Sequence, residues 1–142
     1  MSRKTSFKVE HLPQLGGSDA NFPTVCAWVE MVKAGHGYAP VCPWNWDDRV
    51  AVIRDKDKAI VSLLVWRPAK WAGEAIIVIG WTDPRARKCG LYTKLYKAVS
   101  QQAREMGLRR ITGYVMPQNE TIHEVAVSLG RIKTGEEWSE DL

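Results

Sequence analysis

Between Trp81 and Leu91 the chain reads Thr82-Asp83-Pro84-Arg85-Ala86-Arg87-Lys88-Cys89-Gly90. Directly after it, Leu91, Leu95, Ala98, Val99 and Met106 recur at helical spacing. The first turn of a helix leaves its N–H groups without intrahelical partners, and the macrodipole adds positive potential there. With Arg85, Arg87 and Lys88 beside that turn, the combination is chemically suited to hold phosphate. Other reactive side chains are scattered. Cys26, Cys42 and Cys89, like His11, His36 and His123, lack the paired spacing of a metal site, and the odd cysteine count points to reduced thiols.

The elements around that loop follow from hydrophobic period. Glu74 to Trp81 is apolar on both faces, as a central strand is, and Gly80 is the expected place for a bulge in it. Upstream, Phe7–His11 alternates as a half-buried first strand. Gly16–Asn21 is a loop ending in capping residues, and Val25, Cys26, Val29 and Val32 mark a helix that stops at Gly35. Residues 36–48, rich in Pro and Trp, show no period and read as a long loop, a common place for function. Val50–Arg54 and Ala59–Trp66 form a hairpin about Asp-Lys-Asp-Lys. Downstream, the helix ends at Gly107, Arg109–Val115 is a strand, and Ile122, Val125, Ala126 and Leu129 line a last helix before Gly130. The tail, Arg131–Leu142, has room for one short strand.

The order β-α-loop-β-β-β-α-β-α-β joins a meander to one right-handed crossover, which sets the strands flanking the basic loop and its helix parallel. The fold class expected is therefore α+β, or mixed α/β. At 142 residues the chain reads as a single domain spanning residues 1–142. The basic N-terminus is not followed by an apolar core, and the longest apolar run is far too short to span a bilayer. A cytoplasmic protein without membrane attachment is the expectation. The net charge of +4 suits an anionic cofactor; it also leaves nucleic acid open, but no basic stripe with interleaved aromatics supports that.

With these elements placed, the chain resembles the GNAT superfamily of acyl-CoA-dependent N-acetyltransferases. That family carries V-x-P-x-x-R/Q-x-x-G-x-G/A after its fourth strand; here Thr82-Asp-Pro84-Arg-Ala-Arg87-Lys-Cys-Gly90-Leu-Tyr92 stands in the same register. The family's next strand ends in V-x-x-x-N, matched by Val115 and Asn119, and Gly130-Arg131 follows at the spacing of a Gly-Phe pair. The resemblance implies a central mixed sheet of about six strands with three to four flanking helices and a V-shaped splay between the fourth and fifth strands. It implies acetyl-CoA as acyl donor, its pyrophosphate lined by Arg87, Lys88, Cys89, Gly90, Leu91 and Tyr92, with Thr93 opening the helix. Thr82 and Asn119 would contact the pantetheine arm from opposite sides.

Four departures from the family pattern stand out. Lys88 and Tyr92 replace small residues, and the Tyr92 ring must turn away or narrow the site. Ala126 stands where the family often has a Tyr that protonates the leaving thiolate. Arg131 replaces Phe, and the C-terminus looks one strand short, a strand that a second copy could supply in a homodimer.

The implied activity is an N-acyltransferase working by direct attack of a primary amine of a small molecule or protein on the thioester. A lysine-like amine costs about 4–5 kcal/mol to deprotonate at neutral pH, whereas an α-amino group costs about 1–2 kcal/mol. Glu74 shares a strand face with Gly80 and Thr82 by the two-residue period, and is the candidate base. His123, one turn beyond Asn119, is the candidate acid or second base. His36, Trp44 and Trp46, in the loop on the acceptor side, are the candidates for substrate choice, the rings through stacking or cation–π contact with an amine. Two alternatives remain at this level: a non-catalytic CoA-binding or protein-interaction module, and a modifier of nucleic acid bases on the same fold.

Overall fold

A computed structural model describes residues 8–12, 23–27, 29, 47–87, 89–114, 132–134 and 137–142. Its strands are β1 (Val9–Leu12), β2 (Arg49–Arg54), β3 (Ile60–Ala69), β4 (Glu74–Thr82), β5 (Arg110–Tyr114), β6 (Ile132–Thr134) and β7 (Glu137–Asp141). Residues 23–27 and 29 are helical and are called α1; α2 is Leu91–Glu105. The strands make one seven-stranded sheet in the order β1-β2-β3-β4-β5-β7-β6. All neighbours are antiparallel except β4 and β5, which run parallel through the α2 crossover. The mixed α+β architecture and the central place of β4 are as the sequence predicts.

Each face of the sheet has its own core. Ala51, Ile53, Leu64, Trp66, Ala75 and Ile111 pack beneath Leu91, Leu95, Tyr96, Val99 and Ala103 of α2. On the opposite face Val50, Val52, Leu63, Val65 and Ile79 pack with Ala27 of α1. Alternation along Val50–Ile53 and Leu63–Trp66 divides these sets, and a register shift at Val61 puts Ile60 on the same face as Leu63. Each fully buried aliphatic side chain contributes about 1.5–3 kcal/mol, so α2 is held chiefly by its packed stripe. Its Tyr96 hydroxyl also donates to Glu140 Oε1 at 2.7 Å, tying the helix to β7.

Three expectations need correction. First, the tail holds two strands: β6 pairs with β7, and β7 pairs with β5 from Tyr114↔Glu137 to Arg110↔Asp141. The missing strand thus comes from the chain itself, which removes the strand-exchange argument for a homodimer. Secondly, β3 continues through Pro68 to Ala69. Pairing with β2 has already ended at Arg49↔Trp66, so the absent Pro68 N–H interrupts no ladder there.

Thirdly, the bulge in β4 lies at Val78, not Gly80. Val65 pairs with Ile79 and Trp66 with Ile77, leaving Val78 opposite no residue, while Gly80 pairs regularly with Leu64. An extra residue in a strand inverts the parity of every side chain beyond it. Ala75 and Ile77 face α2 before the bulge, whereas Ile79 and Trp81 pack on the other face after it. Glu74 consequently does not share a face with Gly80 and Thr82.

Candidate cofactor-binding site

Pairing of β4 with β5 runs only from Glu74↔Arg110 to Ile77↔Gly113. From Val78 onward, no described strand pairs with β4 on that side, and the bulge falls where the two strands part. Added local twist at a bulge is a physical cause of such divergence. Among the described residues the edge from Val78 to Thr82 has no strand neighbour on that side, and its backbone N–H and C=O groups suit a ligand that can pair with them.

At the end of that edge a short network fixes the turn. Ser62 Oγ donates to Trp81 O at 3.1 Å, which leaves Thr82 Oγ1 to donate across its 2.8 Å contact with Ser62 Oγ. Thr82 therefore faces a ligand as an acceptor, its only proton already committed. Arg87 Nε donates to Thr82 O at 2.7 Å, folding the loop back onto the strand end. Asp83 Oδ1 accepts from Arg85 N at 2.9 Å and caps the 3-10 turn Pro84–Ala86. The Arg85 guanidinium also bonds the Asp83 carboxylate, and these hydrogen bonds hold Asp83 below the usual carboxylate range. Arg85 is thus matched by a neighbouring carboxylate.

Gly90 is the N-cap of α2 with φ +78°, a left-handed conformation that favours glycine. No side chain caps α2 and its first turn carries no acidic residue, so the leading N–H groups face the loop without an anionic neighbour. A Cβ at Gly90 would meet no atom within 4 Å, so a ligand can approach the backbone there. Leu91 is buried in the core, Thr93 is half-buried, and Cys89 is an exposed free thiol whose Sγ lies 3.6 Å from Arg87 O. The Tyr92 ring turns back from the loop onto Gly80: a Cβ there would lie 3.0 Å from Tyr92 Cε2. Gly80 is accordingly a close-approach glycine for Tyr92.

The structure brings together Thr82, Arg87, Cys89, Gly90, Leu91, Tyr92 and Thr93. It does not bring Glu74 to them. Glu74 lies at the other end of β4, eight residues or roughly 26 Å from Thr82, on the face away from α2. There its Oε1 accepts from Thr112 Oγ1 at 3.2 Å. Lys88, Asn119, His123, His36, Trp44 and Trp46 fall outside the described residues. Among the described residues no group of three or more His, Cys, Asp or Glu could hold a metal ion.

Two contributors escaped the sequence. Ser62 is a lone polar residue inside Ile60–Trp66, and that break in an apolar strand was the available signal. Asp48 is fully buried, with Oδ1 and Oδ2 accepting from Arg67 Nε at 2.6 Å and Nη2 at 3.1 Å. It anchors the chain on its way from the Trp-rich segment into β2.

Comparison with known proteins bears on this geometry. Residues 24–130 match the sequence model of the acetyltransferase (GNAT) family. No curated protein sequence matches significantly. Among solved structures, a GNAT-family acetyltransferase from Staphylococcus aureus superposes with a TM-score of 0.73 at 9% identity, covering 95% of this chain and 99% of that one. A GCN5-related N-acetyltransferase from Kribbella flavida gives 0.71 at 20% identity, covering 94% and 98%. A Bacillus anthracis protein solved in complex with acetyl coenzyme A gives 0.61 at 15% identity, covering 67% and 62%.

Proposed function

Because the chain belongs to the GNAT family of acetyltransferases, we propose that it transfers an acetyl group from acetyl-CoA to a primary amine of a small molecule or protein. The observation that carries the reading is the uncapped start of α2 behind a left-handed Gly90, placed at the open end of the β4 splay. That arrangement fits a pyrophosphate: several N–H donors converge, no carboxylate caps the helix, and the space over Gly90 is clear. The S. aureus and K. flavida structures support the fold, and the B. anthracis structure supports the donor.

In this proposal the N–H groups of Cys89 to Thr93 and the cation of Lys88 hold the pyrophosphate. Arg87 keeps the loop closed against Thr82 O and adds positive charge. The open edge of β4 orients the pantetheine arm, with Thr82 Oγ1 as acceptor for an amide N–H and Asn119 on the far side. Acetyl-CoA, when bound, supplies the activated thioester. Direct attack by a neutral amine then needs a proton acceptor near the splay. Glu74, four residues before the bulge at Val78 where β4 and β5 part, and His123 are the proposed bases, His123 also the proposed acid, and His36, Trp44 and Trp46 the proposed acceptor contacts.

Thermal melting with acetyl-CoA tests the binding half. Saturation at about 100 times Kd stabilises the fold by about 2.7 kcal/mol. Thiol release on a panel of amines tests the transfer half. A melting shift without thiol release would favour a non-catalytic CoA-binding module, and neither signal would overturn both.

A further inference from the structure

Ala75 and Ile77 of β4 face α2, so their neighbours Glu74 and Ile76 face the other way, on the side where Ala27 of α1 packs. Arg67 of β3 stands opposite Ile76 on this face, and its partner Asp48 leads back into the Trp-rich segment proposed to contact the acceptor. On β5, Arg110 is level with Glu74 and Thr112 with Ile76. On β7, Asp141 and Ser139 continue those two rows, with Glu137 one row further on. Among the described residues, the charged groups that β3, β4, β5 and β7 turn to this end of the face are therefore Arg67, Glu74, Arg110, Asp141 and Glu137, with Asp48 bonded to Arg67.

Two neighbours set the state of the Glu74 carboxylate. Thr112, 3% exposed, donates from Oγ1 to Glu74 Oε1 at 3.2 Å. Because Thr112 is level with Ile76, this bond draws the carboxylate forward along the strand, toward the splay. Two residues, roughly 7 Å, then separate its row from the bulge at Val78. The second neighbour, Arg110, lies directly across the ladder but donates from Nε to Asp141 Oδ1 at 3.1 Å instead. Among the described residues no cation bonds Glu74.

The Arg110–Asp141 side chains are 48% and 84% exposed, and a pair so open to solvent contributes little to stability. Its consequence for Glu74 is chemical. A guanidinium bonded to a carboxylate favours the charged form and makes it a poor proton acceptor. With Arg110 drawn away and one neutral hydroxyl on Oε1, Oε2 stays free to take a proton.

Resting on the reading of Glu74 as a base, we propose that Thr112 and Asp141 are its positioning residues. Thr112 leans the carboxylate toward the splay, and Asp141 holds Arg110 off it. The proton passes from the acceptor nitrogen to Glu74 Oε2. The nitrogen's freed electron pair bonds the acyl carbon, the C–S bond breaks, and the thiolate takes up a proton.

Thiol release from acetyl-CoA with an amine acceptor is the first test. Asp141→Asn should lower kcat about tenfold with KM for acetyl-CoA unchanged, and Arg110→Gln in that background should restore it. Thr112→Val should lower kcat likewise, and Thr112→Ser, which keeps the hydroxyl, should recover it. The second test needs no turnover: the Glu74 side-chain carboxyl carbon is followed by nuclear magnetic resonance as pH is lowered, in the full chain without acetyl-CoA. Its signal should titrate at lower pH than in the parent in Asp141→Asn, where Arg110 is released, and at higher pH in Thr112→Val. A titration unchanged in both variants, or a loss in Asp141→Asn that Arg110→Gln does not restore, would overturn the proposal. Full turnover in Glu74→Gln would also overturn it while acetyl transfer stands. A parent that neither melts higher with acetyl-CoA nor releases thiol fails the transferase reading itself, and this role for Thr112 and Asp141 with it.

Discussion

The Tyr92 ring occupies the space a side chain on residue 80 would need: a Cβ on Gly80 would stand 3.0 Å from Tyr92 Cε2 and 3.4 Å from Cδ2. This contact joins the edge strand of the splay to the first turn of α2, the two elements on which cofactor binding is proposed. Gly80→Ala must push the ring aside, and should destabilise the fold by about 1–2 kcal/mol. In a Tyr92→Ala background the same change should cost much less, with a coupling of at least about 0.5 kcal/mol in urea melts. Additive costs would mean that the contact is not tight.

At Gly90 the constraint is backbone conformation, since its Cβ direction is open. Gly90→Ala should therefore lose about 1–2 kcal/mol from the left-handed φ while keeping acetyl-CoA binding. Gly90→Glu places a carboxylate over the helix start and should abolish the cofactor-induced melting shift in a chain that still folds. A full shift in Gly90→Glu would put the pyrophosphate elsewhere.

The Asp48–Arg67 pair is buried on its acidic side and bidentate. Removing one partner leaves an uncompensated charge, so Asp48→Ala should cost about 3–5 kcal/mol. The double variant Asp48→Ala with Arg67→Met should be less destabilised than the sum of the single changes. Denaturant titration of the four proteins decides it. A loss below about 1 kcal/mol for Asp48→Ala would show that the pair is not structural.

Two groups give stability a pH dependence of known sign. His11 is held below its ordinary value by burial, so the unfolded chain binds its proton first. Its contribution is intact above about pH 6.5 and is lost as pH falls through that value toward the folded pKa. His11→Gln should therefore gain on the parent as pH drops across that window. Asp83 is held down by hydrogen bonds from Arg85, and its contribution is present above about pH 4 and lost as pH falls through the folded value. The melting gap between the parent and Asp83→Asn should close in acid. A gap that stays constant with pH at either residue would contradict the assignment.

Much of the molecule was legible in local pattern. The continuous apolar run Val50–Ile53, the doubly apolar Glu74–Trp81 and the stripe from Leu91 to Met106 each read as one element. Proline, cations and glycine in the connection between them marked the start of α2, where pyrophosphate binding is proposed. These properties depend on neighbours a few residues away, which a sequence displays directly.

What needed the fold was every fact set by pairing across distance. The bulge at Val78 is a mismatch between Val65–Trp66 and Ile77–Ile79, invisible in either strand alone, yet it turns Glu74 from the Thr82 face. The acidic segment Glu137–Asp141 has poor strand propensity and becomes a strand because β5 offers it an open edge. Ser62 meets Thr82, and Arg49 flanks Trp66, only once the register of β2, β3 and β4 is fixed. The sequence by itself determined the strands and helix that carry their own period, from Val50 to Met106, and the uncapped start of α2, because period and capping are local. The tertiary structure decided which side chains share a face, because one extra residue in a ladder reverses them all.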